Sequence, residues 1–184
     1  MTYHHGDLRN ALLVAARESL RAAPLAALSI RELARRVGVS ANAPYRHFAD
    51  RDALLAALVV LGYETVAADL GDRVAEGARA VGEVWSSFEA SDAELATLMT
   101  ATGVTAHPAV AEAAERWFRH VVAAVEGDLP HASPERVLAR AIGCWAAVQG
   151  LERLRRTGAL AGLEDLMPSP RRVALRAARG EIPR

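Results

Sequence analysis

Apolar positions recur at steps of three and four along most of the chain, and no strand-length run alternates apolar with polar. Leu8, Leu12, Ala15 and Leu20 mark one face of a helix over about 7–22, with Asp7 at its positive end and Pro24 beyond its close. Ser29 suits the N-cap of a second helix over about 30–37, and Gly38-Val39-Ser40 forms a tight turn. A short helix over about 41–48 follows, and Asp50 caps a long one reaching about Leu70, where Gly71-Asp72 interrupts it. Val74, Ala78, Val81, Trp85 and Phe88 stripe the next helix. Ser91-Asp92-Ala93-Glu94 reads as a capping box opening another, which Gly103 ends. Pro108 starts a helix with the stripe Val110, Ala114, Trp117, Val121 and Val125, stopping at Gly127. Ser133 and Pro134 open one that is apolar on nearly all sides from Val137 to Leu151, the pattern of a buried helix. A last helix follows Ser169-Pro170. The expectation is an all-α protein of about nine helices.

Composition agrees with this reading. Hydrophobic residues make up 52% and aromatics only 5%, so Ala, Leu and Val fill the core, and Ala and Leu favour helix. Net charge is zero, which by itself argues against nucleic acid. The zero conceals an asymmetry: residues 1–51 carry eight Arg against four acids, and the remainder is acidic by the same margin. A basic first quarter on a mildly acidic body suits a separate nucleic-acid-binding end. Cys144 is the single cysteine, which rules out an intrachain disulfide and points to a cytoplasmic setting. The start lacks a basic-then-apolar leader, and the apolar run from Ala53 to Leu61 is far shorter than the about 20 residues a membrane span needs. There is no Gly-rich phosphate loop, nucleophile elbow or His/Cys pairing, so no catalytic residue, metal ligand or cofactor is expected.

The informative segment is Ser29 to Phe48, SIRELARRVGVSANAPYRHF. Two helices crossing steeply need a small residue at the approach, a residue tolerant of positive φ in the turn, and apolar residues around it. Ala34, then Gly38, then Leu33, Val37 and Val39 meet those needs. This is the spacing of a helix-turn-helix. With Ser40 as N-cap, however, Pro44 falls inside the following helix and removes its first hydrogen bond.

A longer stretch resembles the TetR family of bacterial regulators. It runs through YHHGDLRNALLVAA, LSIRELARRVGVS, ANAPYRHF and ADRDALLAAL, and WAAVQGLERL looks like that family's dimerisation region. The resemblance implies a DNA-binding domain over residues 1–50, and a helical ligand-binding and dimerisation domain over 51–184. It further implies that Ala41, Asn42, Ala43 and Arg46 lie in the major groove towards bases or the nearby backbone, with Ser40 also a DNA-binding residue. Tyr45 and His47 would meet phosphates or sugars, Ser29 a phosphate at a helix N-terminus, Arg31 a base edge, and Arg51 the backbone. Arg35 and Arg36 read rather as the solvated outer face of the second helix. Trp85, Phe88, Met99, Trp117, Phe118, Cys144 and Gln149 are the implied pocket residues for a small-molecule effector, or else core. His107 could face that pocket or cap a helix. Ala141, Trp145, Val148, Leu151 and Leu154 are the candidate dimer surface of a homodimer on a palindromic operator. The family role implied is that of a ligand-responsive repressor. A small helical ligand carrier or enzyme without a DNA-binding role is the alternative, and a salt titration of DNA binding separates them.

Overall fold

A computed structural model describes residues 8–101 and 107–160. Among the described residues there are seven α-helices and no strand: α1 (Leu8–Ala22), α2 (Ile30–Val37), α3 (Arg51–Asp72), α4 (Ala78–Ser91), α5 (Ala93–Met99), α6 (Pro108–Asp128) and α7 (Pro134–Arg156). Short 3-10 turns cover Leu25–Ala27, Ala43–Arg46 and Val74–Glu76. The all-helical expectation holds, with seven α-helices where about nine were expected. The segment expected as a helix over 41–48 forms the 3-10 turn Ala43–Arg46 instead, and the helix expected after Pro170 lies outside the described residues, as does Gly103.

Pro44 explains the first difference. Its nitrogen donates nothing, and an α-helical turn would drive its ring against the carbonyl four residues back. The chain tightens instead, with the Ala43 amide on the Ser40 carbonyl, Tyr45 on Asn42 and His47 on Pro44. Pro44 itself is buried.

The chain forms two compact units. The first comprises the described residues of Met1–Thr65 and Phe88–Glu115. Its core draws Leu12, Ala16 and Leu20 from α1, Leu33 and Ala34 from α2, Leu54 and Leu58 from α3, and Leu95 and Met99 from α5. Asp50 caps α3 as expected, its carboxylate accepting the Ala53 amide at 2.8 Å. The expected capping box at 91–94 is absent. Ser91 is the last residue of α4, and Asp92 stands at the N-cap of α5 without capping it. Instead Asp92 accepts paired hydrogen bonds from both Arg17 and Arg21 of α1, at 2.8–2.9 Å, and a further one from the Ser91 hydroxyl. Glu94 accepts the Leu25 amide at 2.9 Å. Burial alone would raise the Asp92 carboxyl, but the Arg17, Arg21 and Ser91 hydrogen bonds outweigh it and hold the group well below the usual carboxylate range.

The second unit comprises the described residues of Val66–Ser87 and Arg116–Arg184. Gly77 breaks the stripe that runs from Val74 to Phe88, at φ 72° and ψ −162°, a conformation open almost only to glycine. Asp128 then accepts the Ala78 amide at 2.9 Å and caps α4. Ser133 caps α7 through the Arg136 amide, with Pro134 at the first helical position. On α7 only the stripe Val137, Ala141, Cys144, Val148 and Glu152 is buried. Leu138, Ile142 and Leu154 are 46%, 53% and 44% exposed, so α7 is not the fully buried helix its composition suggests.

By length and composition α3 could cross a membrane, since an 18-residue window has mean hydropathy 1.7, but 61% of that window is buried within the protein. This helix ends at Asp72, where Gly71-Asp72 was expected to interrupt it.

Candidate nucleic-acid interface

The first unit holds a contiguous face built on α2, the turn after it and the start of α3. α2 ends because Gly38 sits at φ 78°, in the left-handed region. Its amide bonds the Arg35 carbonyl and that of Val39 bonds Ala34, so the last carbonyls of α2 are satisfied as the chain reverses. A Cβ at Gly38 would meet nothing within 4 Å, so the glycine is needed for backbone angle and not for space. Below the turn Leu33, Ala34, Pro44 and Phe48 are buried, and the Arg9 guanidinium lies 5.5 Å from the Phe48 ring centre. The apolar underside fixes the turn, and the outer side is left to polar residues.

The expected contact residues all lie on that outer side. Ser29, Arg31, Ser40, Ala41, Asn42, Arg46, His47 and Arg51 are exposed, Tyr45 is 47% exposed and Ala43 is half-buried. Ser29 stands at the N-cap of α2, but its side chain makes no capping bond. Arg51 donates to the Leu25 carbonyl at 2.9 Å, which ties the start of α3 to the 3-10 turn before α2. Arg35 is paired with Glu32, whose carboxyl is held below its ordinary range by that hydrogen bond, and Arg36 bonds Glu18 and Ser19. Those two arginines fit the solvated-surface reading. Arg31 and Arg46 form no ion pair among the described residues. A face with two unneutralised guanidiniums, hydroxyls, an amide and an aromatic phenol suits a polyanion with hydrogen-bonding edges.

The residues expected to line a pocket divide between the units. Phe88 and Met99 are buried in the first, Phe88 beneath the Arg17 guanidinium and Met99 accepting the Tyr63 hydroxyl through its carbonyl. Burial pushes the Tyr63 phenol upward. Trp85, Trp117 and Cys144 are buried in the second, where Phe118 and Gln149 are half-buried. The Cys144 thiol donates to the Ala78 carbonyl at 4.0 Å. Trp145, expected on a dimer surface, is half-buried and meets Trp85 and Trp117 with ring centres 4.7 and 5.4 Å away. Of the other expected dimer residues, Ala141 and Val148 face the interior of the unit because they share the buried stripe of α7. Leu151 is half-buried and Leu154 exposed. His107 accepts the Ala109 amide at 3.3 Å and so caps α6. Among the described residues no group of acids, histidines and cysteines is arranged to hold a metal ion.

Sequence reasoning missed the role of Asp92, Glu94 and Arg51 in bracing this face. The two arginines four apart on α1 were the available signal, since they present one charge on one helix side.

Comparison with known proteins agrees with the geometry. Residues 12–58 match the model of the bacterial regulatory proteins of the tetR family. No curated protein matches the sequence. A solved structure of a protein of unknown function from Rhodococcus sp. RHA1 shares 32% identity, with 98% of this chain and 96% of that chain covered, at TM-score 0.75. The crystal structure of SCO4313 shares 22% identity over 95% of this chain and 96% of its own, at TM-score 0.73. The multidrug binding protein EbrR, solved in complex with imidazole, shares 21% identity over 98% and 93%, at TM-score 0.60, and like SCO4313 supports the fold alone. With a helix-turn-helix whose polar side faces outward, a matching family segment over 12–58 and relatives of the same fold along nearly its full length, the chain belongs to the TetR family of helix-turn-helix transcriptional regulators.

Proposed function

We propose that the protein is a ligand-responsive repressor that binds a palindromic operator as a homodimer in the cytoplasm. Residues 1–50 engage DNA and residues 51–184 bind the effector and dimerise. The observation that carries the reading is the contiguous exposure of Ser29, Arg31, Asn42, Tyr45, Arg46, His47 and Arg51 above a packed apolar underside. In this reading Arg31 and Arg46 reach base edges or phosphates, Tyr45 and His47 contact the sugar-phosphate backbone, and Arg51 holds register. One short reading segment gives weak binding, and two on a two-fold axis give a specific operator.

The dimer surface is best drawn on the outer face of α7. Three of the five large hydrophobics that are exposed among the described residues are Leu138, Ile142 and Leu154 of this helix, with Trp145 and Leu151 partly exposed alongside. A small-molecule effector is supported by the fold neighbour EbrR, a multidrug binding protein solved with imidazole. Effector binding shifts the population away from the spacing of about 34–36 Å that two reading segments need on one face of DNA.

Selection of bound fragments from random DNA tests this directly. The expected result is an inverted repeat, bound with an affinity that falls steeply as salt rises. Binding indifferent to salt, or no enriched sequence, overturns it.

A further inference from the structure

The three tryptophans of the chain meet in the second unit. Trp85 comes from α4, Trp117 from α6 and Trp145 from α7, with ring centres 4.7–6.2 Å apart and planes tilted 43–86°. Tilted and edge-on pairs are the favoured aromatic geometries, and the cluster presents both ring faces and ring edges. Gln149 lies one helical turn beyond Trp145 on α7.

Two buried donors of this unit lack acceptors. Trp117 is 1% exposed, and its indole Nε1 has no hydrogen-bond partner; the amide Nε2 of Gln149 is likewise shut off from solvent without one. Buried polar groups are otherwise almost always paired. The nearby acid is already engaged: Glu152 accepts from Ser86 at 2.9 Å and from Arg155 at 3.0 Å. Among the described residues the buried charged groups are all acids, so an anionic ligand would find no buried cation to neutralise it. Those acids are themselves engaged, Glu152 by Ser86 and Arg155, Asp92 by Arg17 and Arg21, and Glu89 by a contact of its own, so a cation would find no free buried carboxylate either.

We propose that this cluster binds the effector, and that the effector is an uncharged planar aromatic compound bearing a carbonyl-type oxygen acceptor. The rings stack on the tryptophans, and the oxygen accepts from Trp117 Nε1 and Gln149 Nε2. The inference rests on the reading of residues 51–184 as an effector-binding body, and it adds the chemical class and the two donors.

Because every tryptophan belongs to the cluster, intrinsic emission of the full chain reports on this site alone. The probes are 9-fluorenone and fluorene, which share a ring system and differ by one carbonyl, with ethidium as a cation and 9-anthroate as an anion. Tryptophan emission and equilibrium dialysis should both give fluorenone roughly tenfold tighter binding than fluorene. Gln149→Leu should remove a several-fold part of that preference while leaving fluorene binding unchanged, and Trp117→Phe should do the same where it folds. Equal affinity for fluorenone and fluorene, a preference for ethidium or 9-anthroate, or a fluorenone preference untouched by Gln149→Leu overturns the proposal. Operator binding by the same preparation, followed separately by anisotropy, tests the DNA-binding reading. Intact operator binding without a fluorenone preference sinks only the ligand class, and loss of operator binding sinks the regulator reading whatever the probes do.

Discussion

Replacing Asp92 by Asn should destabilise the first unit strongly at neutral pH and hardly at all in acid. The carboxylate is 1% exposed and accepts paired hydrogen bonds from Arg17 and Arg21, whose side chains are 23% and 46% exposed. Removing one partner of a buried ion pair costs about 3–5 kcal/mol, mainly because a charge is left buried. Here the charges left behind are guanidiniums that can turn back to water, and Asn keeps the volume and one acceptor oxygen. The expected loss is therefore about 2–3 kcal/mol. The pH dependence follows from the direction of the shift. The folded carboxyl is depressed, so its contribution is complete above its unfolded value of about 3.9 and is lost as pH falls below that through the lowered folded value. Urea unfolding of both proteins should show the gap at pH 7 and its closure in acid. Hydrogen exchange should place the loss in α1 and at the Leu25 amide, which Glu94 holds. A loss under about 0.5 kcal/mol at pH 7, or a gap equally wide at pH 3, would refute the reasoning.

Three further outcomes are expected. Gly77→Ala should cost about 2 kcal/mol or more in thermal or urea unfolding, since the residue sits at φ 72° and ψ −162° and a Cβ there collides with the Asp128 carboxylate; Gly77→Ala with Asp128→Ala should remove the collision and keep the backbone strain. Ile142→Glu, on the exposed face of α7, should shift sedimentation from dimer to monomer without lowering monomer stability by more than about 0.5 kcal/mol; an unchanged dimer would count against that surface. Arg46→Ala should weaken operator binding and, if its contact is to phosphate, lower the slope of log affinity against log salt by about 1; unaltered affinity would remove Arg46 from the interface.

Much of this architecture is legible in the sequence because local signals and packing agree. Asp50, Ser133 with Pro134, and Gly38 act where their short-range chemistry says they should. The departures arise where a distant partner or a backbone constraint wins. Ser91 and Glu94 have capping-box spacing, yet Arg17 and Arg21 are about seventy residues away in sequence and take the Asp92 carboxylate. Pro44 vetoes an α-helical turn that the surrounding residues would otherwise permit. From Val137 to Leu151 nearly every position of α7 is apolar, so composition could not phase the helix, and Trp145 falls beside Trp85 and Trp117 while Leu138 and Ile142 face outward. For the contact face, the residue types and their spacing were readable. The pairing of Arg36 with Glu18 and its bond to Ser19 needed the structure, because both come from another helix, whereas Arg35 and Glu32 are a local pair three apart on α2.

The 3-10 geometry of Ala43–Arg46 carries a metrical consequence. In such a turn residues three apart eclipse one another, so Ala43 and Arg46 stand in one row, about 6 Å apart along the axis. Two base-pair steps at about 3.4 Å each span nearly the same length. Laid along a groove, this segment keeps pace with the duplex at every second base pair, whereas an α-helix would swing the same two side chains onto diverging bearings. In the proposed DNA-binding role, the proline that holds this turn would set the spacing of those two side chains along the groove.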